Sequence, residues 1–297
     1  MTLFVLTGPT AVGKTALALD IAEMLKSPVI NCDSRQLYKG MEIGTAAPTA
    51  KEQQRVRHYF VGTLTPKDYY SAAKYEEEAL QLMQSLSSSH RNLLLTGGSM
   101  MYIDAVCNGI GYIPTVTEQV RTALRLRFET EGLTPLLKEL EDVDPDYYQM
   151  ADHKNHKRII HALEIYHTSG KPYSSFRTET KKKRPFRIVK IGLRREREEL
   201  FSRINKRVDD MMKSGMLRET QSLLPYRNEN ALNTVGYKEL FHHLDGMWEL
   251  DTAVERIKKN TRVYAKKQMT WFQHDKDMHW FHPDSKMEIM DFIQENM

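Results

Sequence analysis

The chain has 297 residues, 40% hydrophobic and 28% charged, so it has room for one large α/β domain or for a core domain carrying a smaller insertion, and it excludes long disorder; the second arrangement is expected. A net charge of +4 does not by itself imply a nucleic-acid partner, and two cysteines, Cys32 and Cys107, are too few for a disulfide framework or a zinc site and read as buried apolar residues. No run of about 18 apolar residues occurs and the first residues enter a strand instead of an export signal, so no membrane partner and a cytoplasmic location are expected.

The first third alternates strands and helices as a parallel sheet requires. Leu3 to Thr7 is strand-like. Past a glycine-rich turn, Leu17, Ile21 and Leu25 recur every fourth residue and give a helix its apolar stripe. Val29 to Cys32 is the second strand. A helix capped by Ser71 presents Ala72, Tyr75, Ala79, Leu82 and Leu86. Leu93 to Thr96 is the third strand, followed by Gly97-Gly98 and a helix from Ser99.

After Gly109-Ile110-Gly111, strands vanish for about 75 residues. Thr115-x-x-Glu118 reads as a capping box opening a helix with Val120, Leu124 and Phe128. Asp144-Pro145 opens another, and Asn155 caps a third, bearing Ile159, Ile160, Leu163 and Tyr166 and ended by Gly170 and Pro172. The basic stretch Lys181 to Pro185 bounds this insertion. Phe186 to Leu193 returns the chain to the sheet. Leu200, Ile204, Val208 and Met211 then form one helical stripe, closed by Gly215. Tyr237, Leu240, Phe241 and Leu244 form another, closed by Gly246. From Asp251 to Trp271 a long helix is expected to pack through Val254, Ile257, Thr261 and Tyr264, with Lys259, Arg262 and Lys266 on another side. The expected fold is α/β, a P-loop NTPase-like parallel sheet with an inserted helical domain and C-terminal helices. Its parts are residues 1–113, 114–185 and 186–297.

Charge along the chain is uneven. Residues 181–218 hold fourteen Lys and Arg against five Asp and Glu, whereas 129–146 hold seven acids against one base.

Gly8-Pro9-Thr10-Ala11-Val12-Gly13-Lys14-Thr15 matches the Walker A pattern in a strand-turn-helix context. Its glycines let backbone amides wrap phosphate oxygens, the helix N-terminus adds its dipole, and Lys14 adds a point charge. Thr15 offers a hydroxyl to Mg²⁺. The pattern does not say what happens to the phosphate, and alone it suggests ATP. An NTP hydrolase usually ends a strand in a magnesium-binding acid, but Leu93 to Thr96 runs into glycines. Val29 to Cys32 instead delivers Asp33 to the edge where open α/β sheets bind ligands. Asp33 is a candidate general base, with metal ligation and capping of the following turn as alternatives.

These motifs, with Asp33-Ser34-Arg35-Gln36-Leu37-Tyr38-Lys39-Gly40-Met41 and Ile43-Gly44-Thr45-Ala46, closely resemble the tRNA dimethylallyltransferases. The match continues through Gly97-Gly98-Ser99-Met100-Met101-Tyr102, Ala162-Leu163-Glu164, Val235-Gly236-Tyr237-Lys238-Glu239, and the run from Thr261 to Phe272. It spans nearly the whole chain. The resemblance implies transfer of a dimethylallyl group from dimethylallyl diphosphate to the exocyclic amine of the adenine 3′ of the anticodon in tRNA. Asp33 would take the proton. The cradle, Lys14 and Mg²⁺ would stabilise departing diphosphate.

The implied catalytic set is Thr10, Lys14, Asp33, Ser99 and Arg121. Ser99 stands where relatives usually have Thr; on its own it reads equally as a helix N-cap, and Arg121 as part of a solvated face. The tRNA contacts implied are Asp33, Ser34, Arg35, Gln36, Ser99 and Arg121, then Lys157, Arg158 and His161, then Asn233, Thr234, Val235, Gly236, Tyr237 and Lys238. His161 replaces an Arg common in relatives. The insertion would contact the anticodon stem-loop, whose target base must be flipped into a pocket. Lys181 to Arg184, then Arg203, Lys206 and Arg207, then Lys259, Arg262 and Lys266 would neutralise phosphates, although each run alone is more often a solvated face. Trp271, Phe272, Trp280 and Phe281 read as core, not as a stacking platform, and Met211 and Met212 also read as core. A monomer is expected. An adenylate isopentenyltransferase, a small-molecule kinase and a non-catalytic RNA-binding module remain alternatives.

Overall fold

The computed structural model describes residues 1–110, 114, 116–176 and 182–297. The chain divides into two compact units, one formed by Met1–Cys107 with Arg184–Met297 and the other by Asn108–Lys183.

The first unit is built on a parallel sheet of six strands: β1 (Thr2–Thr7), β2 (Val29–Asn31), β3 (His58–Tyr59), β4 (Asn92–Gly97), β5 (Arg187–Leu193) and β6 (Met278–Phe281), in spatial order β3-β2-β4-β1-β5-β6. Parallel neighbours need crossovers, and the crossover helices cover both sheet faces, so the strands are apolar at consecutive positions. In β1 the alternation separates two cores. Leu3 and Val5 join Leu93, Leu95, Tyr75 and Ile103 on one face. Phe4 and Leu6 join Leu94, Ile191, Ile21 and Ile204 on the other. All four β1 side chains are fully buried. The register Thr7↔Gly97 and Thr7↔Gly192 ends β1, β4 and β5 at one level, so the loops after them emerge at one edge.

Two strands had no sequence signal. His58–Tyr59 is two residues long and Met278–Phe281 four, too short to display a period; their neighbours in the sheet define them. The long helix is also corrected. Leu250–Gln273 buries Ala253, Ile257, Ala265, Gln268 and Phe272, while Tyr264 is 38% exposed. Of the expected stripe, Ile257 and the half-buried Val254 join a core cluster and Thr261 is half-buried, whereas Tyr264 departs and Ala253, Ala265, Gln268 and Phe272 complete the buried face. Trp271 is not core either. It is 42% exposed, with its indole Nε1 donating to Asp104 Oδ2 at 2.9 Å. Phe272 is buried, and Trp280 and Phe281 pack against the two cores. Gly215 follows the C-cap Ser214 of the helix Arg197–Lys213 in a left-handed conformation, φ 101°, with its N–H donating to Met212 O, so it closes that helix as expected and also opens the helix Met216–Ser222.

The second unit holds the helices Glu118–Glu131, Thr134–Val143, Pro145–Met150 and His156–Ser169, packed around Leu124, Leu136, Leu140, Ile159 and Leu163. The N-cap of its first helix is Thr117, whose Oγ1 accepts from Val120 N. Thr115, Gly111 and Lys181 lie outside the described residues. Asp144 and Asn155 cap as expected, and Asp144 also accepts from Ser174 N through its second oxygen.

Candidate active site

Each loop at the C-terminal edge of the sheet brings one part of the site. After β1, residues 8–13 turn into the helix Lys14–Leu25, with Gly13 as its N-cap at a φ of 117° and Ala11 at 63°. The loop is held from outside at three successive residues. Gln268 Oε1 accepts from Thr10 N at 2.9 Å, Arg203 Nε donates to Ala11 O at 2.9 Å, and Arg195 Nε donates to Val12 O at 2.9 Å. Two of these ties hold carbonyls and one holds the Thr10 amide, and Val12 N donates to Pro9 O at 3.3 Å, so an anion nest here would draw on the other amides of the loop.

Lys14 Nζ donates back to Gly8 O and Pro9 O, at 2.8 and 2.9 Å. Burial, with Arg207 close by, lowers its pKa to about 8, against an opposing pull from Asp33. Burial also lowers the pKa of Arg207, which Asp33 likewise counteracts. Lys14, Arg207 and Asp33 thus form one electrostatic group. Thr15, on the first helical turn, is exposed.

After β2, Asp33 Oδ1 accepts from Arg35 N at 2.9 Å and more weakly from Gln36 N at 3.4 Å, which caps the turn 33–36. Capping was one of three alternatives for Asp33; it engages one carboxylate oxygen, and no hydrogen bond to Oδ2 occurs among the described residues. The same turn is fixed from β4. Ser99, 7% exposed, accepts from Ser34 N at 2.7 Å and donates to Ser34 Oγ at 2.9 Å. Its hydroxyl therefore ties two site loops together. Arg35 Nη1 donates to Asn230 O, and Gln36 Nε2 to Thr45 O and Ala46 O.

Sequence reasoning missed two residues. Gln268, 2% exposed, bridges Thr10 N to Gly98 O through the two ends of its amide, and a Cβ on Gly98 would lie 2.5 Å from its Nε2. An amide on a predominantly basic helix carries no pattern that marks it. Glu219 accepts from Ile43 N, Gly44 N and the Tyr237 hydroxyl, at 2.8, 2.8 and 2.7 Å, and so anchors the turn through residues 42–45.

Four residues expected at the tRNA face have partners within the protein. Tyr237 is fully buried, so its side chain supports the turn instead of meeting RNA. Arg184, with its side chain 8% exposed, pairs with Glu76 at 2.7 Å and donates to the carbonyls of Ala105 and Val106. Arg203 and Arg207 serve the phosphate loop and the group around Lys14. Lys182, Lys183, Lys206, Lys259 and Lys266 are exposed, and Arg262 donates to Asn205. Asn233 and Lys238 are exposed, Thr234 and Val235 half-buried, and Gly236 buried. In the second unit, Lys157, Arg158 and His161 share an exposed stretch of one helix, with His161 Nδ1 near Glu164, while Arg121 is half-buried beside Glu118.

A family profile described as IPP transferase matches residues 36–275. The chain is 56% identical over 295 residues to a tRNA dimethylallyltransferase 2 of Parabacteroides distasonis, covering 99% of both. It is 57% identical over 292 residues to a tRNA dimethylallyltransferase 1 of Phocaeicola vulgatus, covering 98% of this chain and 97% of that one. Among solved structures, a tRNA isopentenylpyrophosphate transferase from Bacillus halodurans superposes with a TM-score of 0.71 at 33% identity, over 99% of this chain and 96% of the other. A eukaryotic dimethylallyltransferase acting on tRNA superposes with a TM-score of 0.83 over 99% and 80%; at 24% identity it bears on the fold alone.

Proposed function

This chain belongs to the IPP transferase family, and we propose that it transfers a dimethylallyl group from dimethylallyl diphosphate to the N6 amine of the adenine 3′-adjacent to the anticodon in tRNA, releasing diphosphate. What supports this reading is the meeting of two loops at one sheet edge: the loop after β1, where Lys14 Nζ donates back to Gly8 O and Pro9 O, and the turn after β2, which Asp33 caps through Oδ1.

The exocyclic amine is a weak nucleophile because its lone pair is delocalised into the ring. As its nitrogen bonds to the allylic carbon, the carbon–oxygen bond breaks, its electron pair leaves with diphosphate, and an N–H proton passes to Asp33 Oδ2. Loop amides, Lys14 and Arg207 stabilise charge on the leaving oxygen. No phosphoryl group is transferred. Mg²⁺ fits this site: the exposed Thr15 hydroxyl is one hard oxygen donor, and diphosphate oxygens and water would complete its shell. When bound, it would neutralise part of the diphosphate charge.

The target base is flipped out of the anticodon stem-loop to reach Asp33. In the second unit Lys157 and Arg158, and in the first unit Asn233, Lys238, Lys259 and Lys266, are exposed and are the proposed phosphate contacts. A cytoplasmic monomer belongs to the same reading; no helix among the described residues is long and apolar enough to cross a membrane.

Incubation with labelled dimethylallyl diphosphate and either unmodified tRNA or AMP tests the assignment. Label should enter tRNA and be recovered as N6-dimethylallyladenosine. Transfer to AMP alone would identify an adenylate isopentenyltransferase, and consumption of ATP beside inert dimethylallyl diphosphate a kinase.

A further inference from the structure

The pairing of β5 with β6, Leu193↔Phe281, sets the residues after each strand beside one another, and Arg194 N donates to Phe281 O at 3.0 Å. Arg195 and the segment 282–284 therefore leave the sheet edge together, next to the phosphate loop. Arg195 has a side chain only 6% exposed, and all three of its guanidinium nitrogens are engaged. Nε donates to Val12 O; Nη2 donates to Asp284 Oδ1 at 2.6 Å; Nη1 donates to Asp284 Oδ2 at 3.1 Å and to Glu199, with His282 Nε2 at 3.5 Å.

Glu199, His282 and Asp284 bring their ligand atoms within 4.8 Å of one another, which suggests a metal. The guanidinium already bonded among them takes the cation's place. A planar fork bound by a carboxylate on one side has its remaining N–H aimed in a fixed direction, which a lysine would not provide. That direction is the Val12 carbonyl, in the loop whose amides must face inward.

We propose that Arg195 is a positioning residue for the phosphate cradle, aimed by Asp284 and Glu199, so that a surface carboxylate beyond the last strand controls affinity for the donor's diphosphate. The inference rests on the reading of this loop as the diphosphate cradle. Asp284 is 69% exposed at its side chain and, among the described residues, its side-chain hydrogen bonds toward the loop run to Arg195, so its removal tests that chain of contacts without opening the core.

The test is calorimetric titration of the full-length protein with inorganic diphosphate and Mg²⁺, alongside steady-state transfer. Arg195→Ala should weaken diphosphate binding about tenfold and Asp284→Ala about threefold. The KM for dimethylallyl diphosphate should rise in parallel while the KM for tRNA stays at the wild-type value. The double variant should be no worse than Arg195→Ala alone, because Asp284 acts through Arg195. Additive losses, or an Asp284→Ala protein with wild-type affinity, overturn the inference. Should Arg195→Ala fail to fold, Asp284→Ala decides it alone. A wild-type protein that binds no diphosphate removes the functional reading itself, whereas normal wild-type binding with unchanged variants removes only this proposal.

Discussion

Two residues at the site have opposite demands placed on them. Asp33 Oδ1 caps the turn 33–36, and in the proposed reaction the other oxygen takes the proton, so removing the carboxylate should affect turnover far more than binding. Asp33→Ala is expected to lower kcat by about 10²-fold or more while tRNA affinity in a gel-shift titration is retained; equal loss of both would make the role structural. Lys14 carries a pKa lowered to about 8, chiefly by burial, in the protein without an anion. Diphosphate prefers the protonated amine, so its affinity should be full below a pH of about 7 and fall as pH rises through about 8, with a proton taken up on binding in that window. Calorimetry in buffers of different ionisation enthalpy reads that uptake directly. The sign for stability is the reverse. Between about 8 and 10.5 the unfolded chain holds the Lys14 proton more tightly than the folded one, so this group makes stability rise with pH.

At the scale of elements, the helices Met216–Ser222 and Tyr237–Leu244 act on the site without lining it. Glu219 from the first and Tyr237 from the second meet over the backbone of Ile43 and Gly44. A Cβ on Gly44 would lie 2.5 Å from the Tyr237 ring, so the contact needs that glycine. The turn it holds receives Gln36 and Arg207 on its Thr45 carbonyl. Glu219→Gln replaces one charged acceptor with a donor facing a donor. It should cost about 2 kcal/mol in urea denaturation and reduce transfer; unchanged stability would mean that the carboxylate is not the anchor.

At the scale of the whole molecule, the insertion leaves and rejoins the first unit at a defended point. Arg184 Nε donates to Val106 O at 2.8 Å and its Nη2 pairs with Glu76, so the first residue after the insertion is fixed against the last helix before it. Within the insertion, Lys182 N donates to Asn108 O at 2.7 Å, which brings its own ends together. Excising residues 108–183 and joining the flanks with a short glycine linker should therefore leave a cooperatively folding protein that still binds diphosphate and has lost tRNA affinity. Loss of diphosphate binding in a folded excision variant would contradict that division of labour. Breaking the buried pair by Arg184→Ala, by contrast, removes the cation bonded to Glu76 and should cost about 3–5 kcal/mol in urea denaturation.

The family and the place of the candidate site were legible in the chain because contiguous motifs carry them. Gly8 to Thr15 must be continuous to wrap a phosphate, and Asp33 directly follows a strand whose end the sheet brings to the same edge. The crossover helices were legible for a related reason, since an apolar stripe repeats within one segment. What only the tertiary structure decided depends on residues distant in sequence and marked by no period. Gln268 reaches Thr10 across 258 positions, Glu219 reaches Ile43 across 176, and Arg195 reaches Val12 across 183. The same remoteness hid the partners of Arg203, Arg207 and Arg184, which are carbonyls and a buried acid. A charged side chain reads as solvated until its partner is known, and the sheet register and helix packing supply that partner.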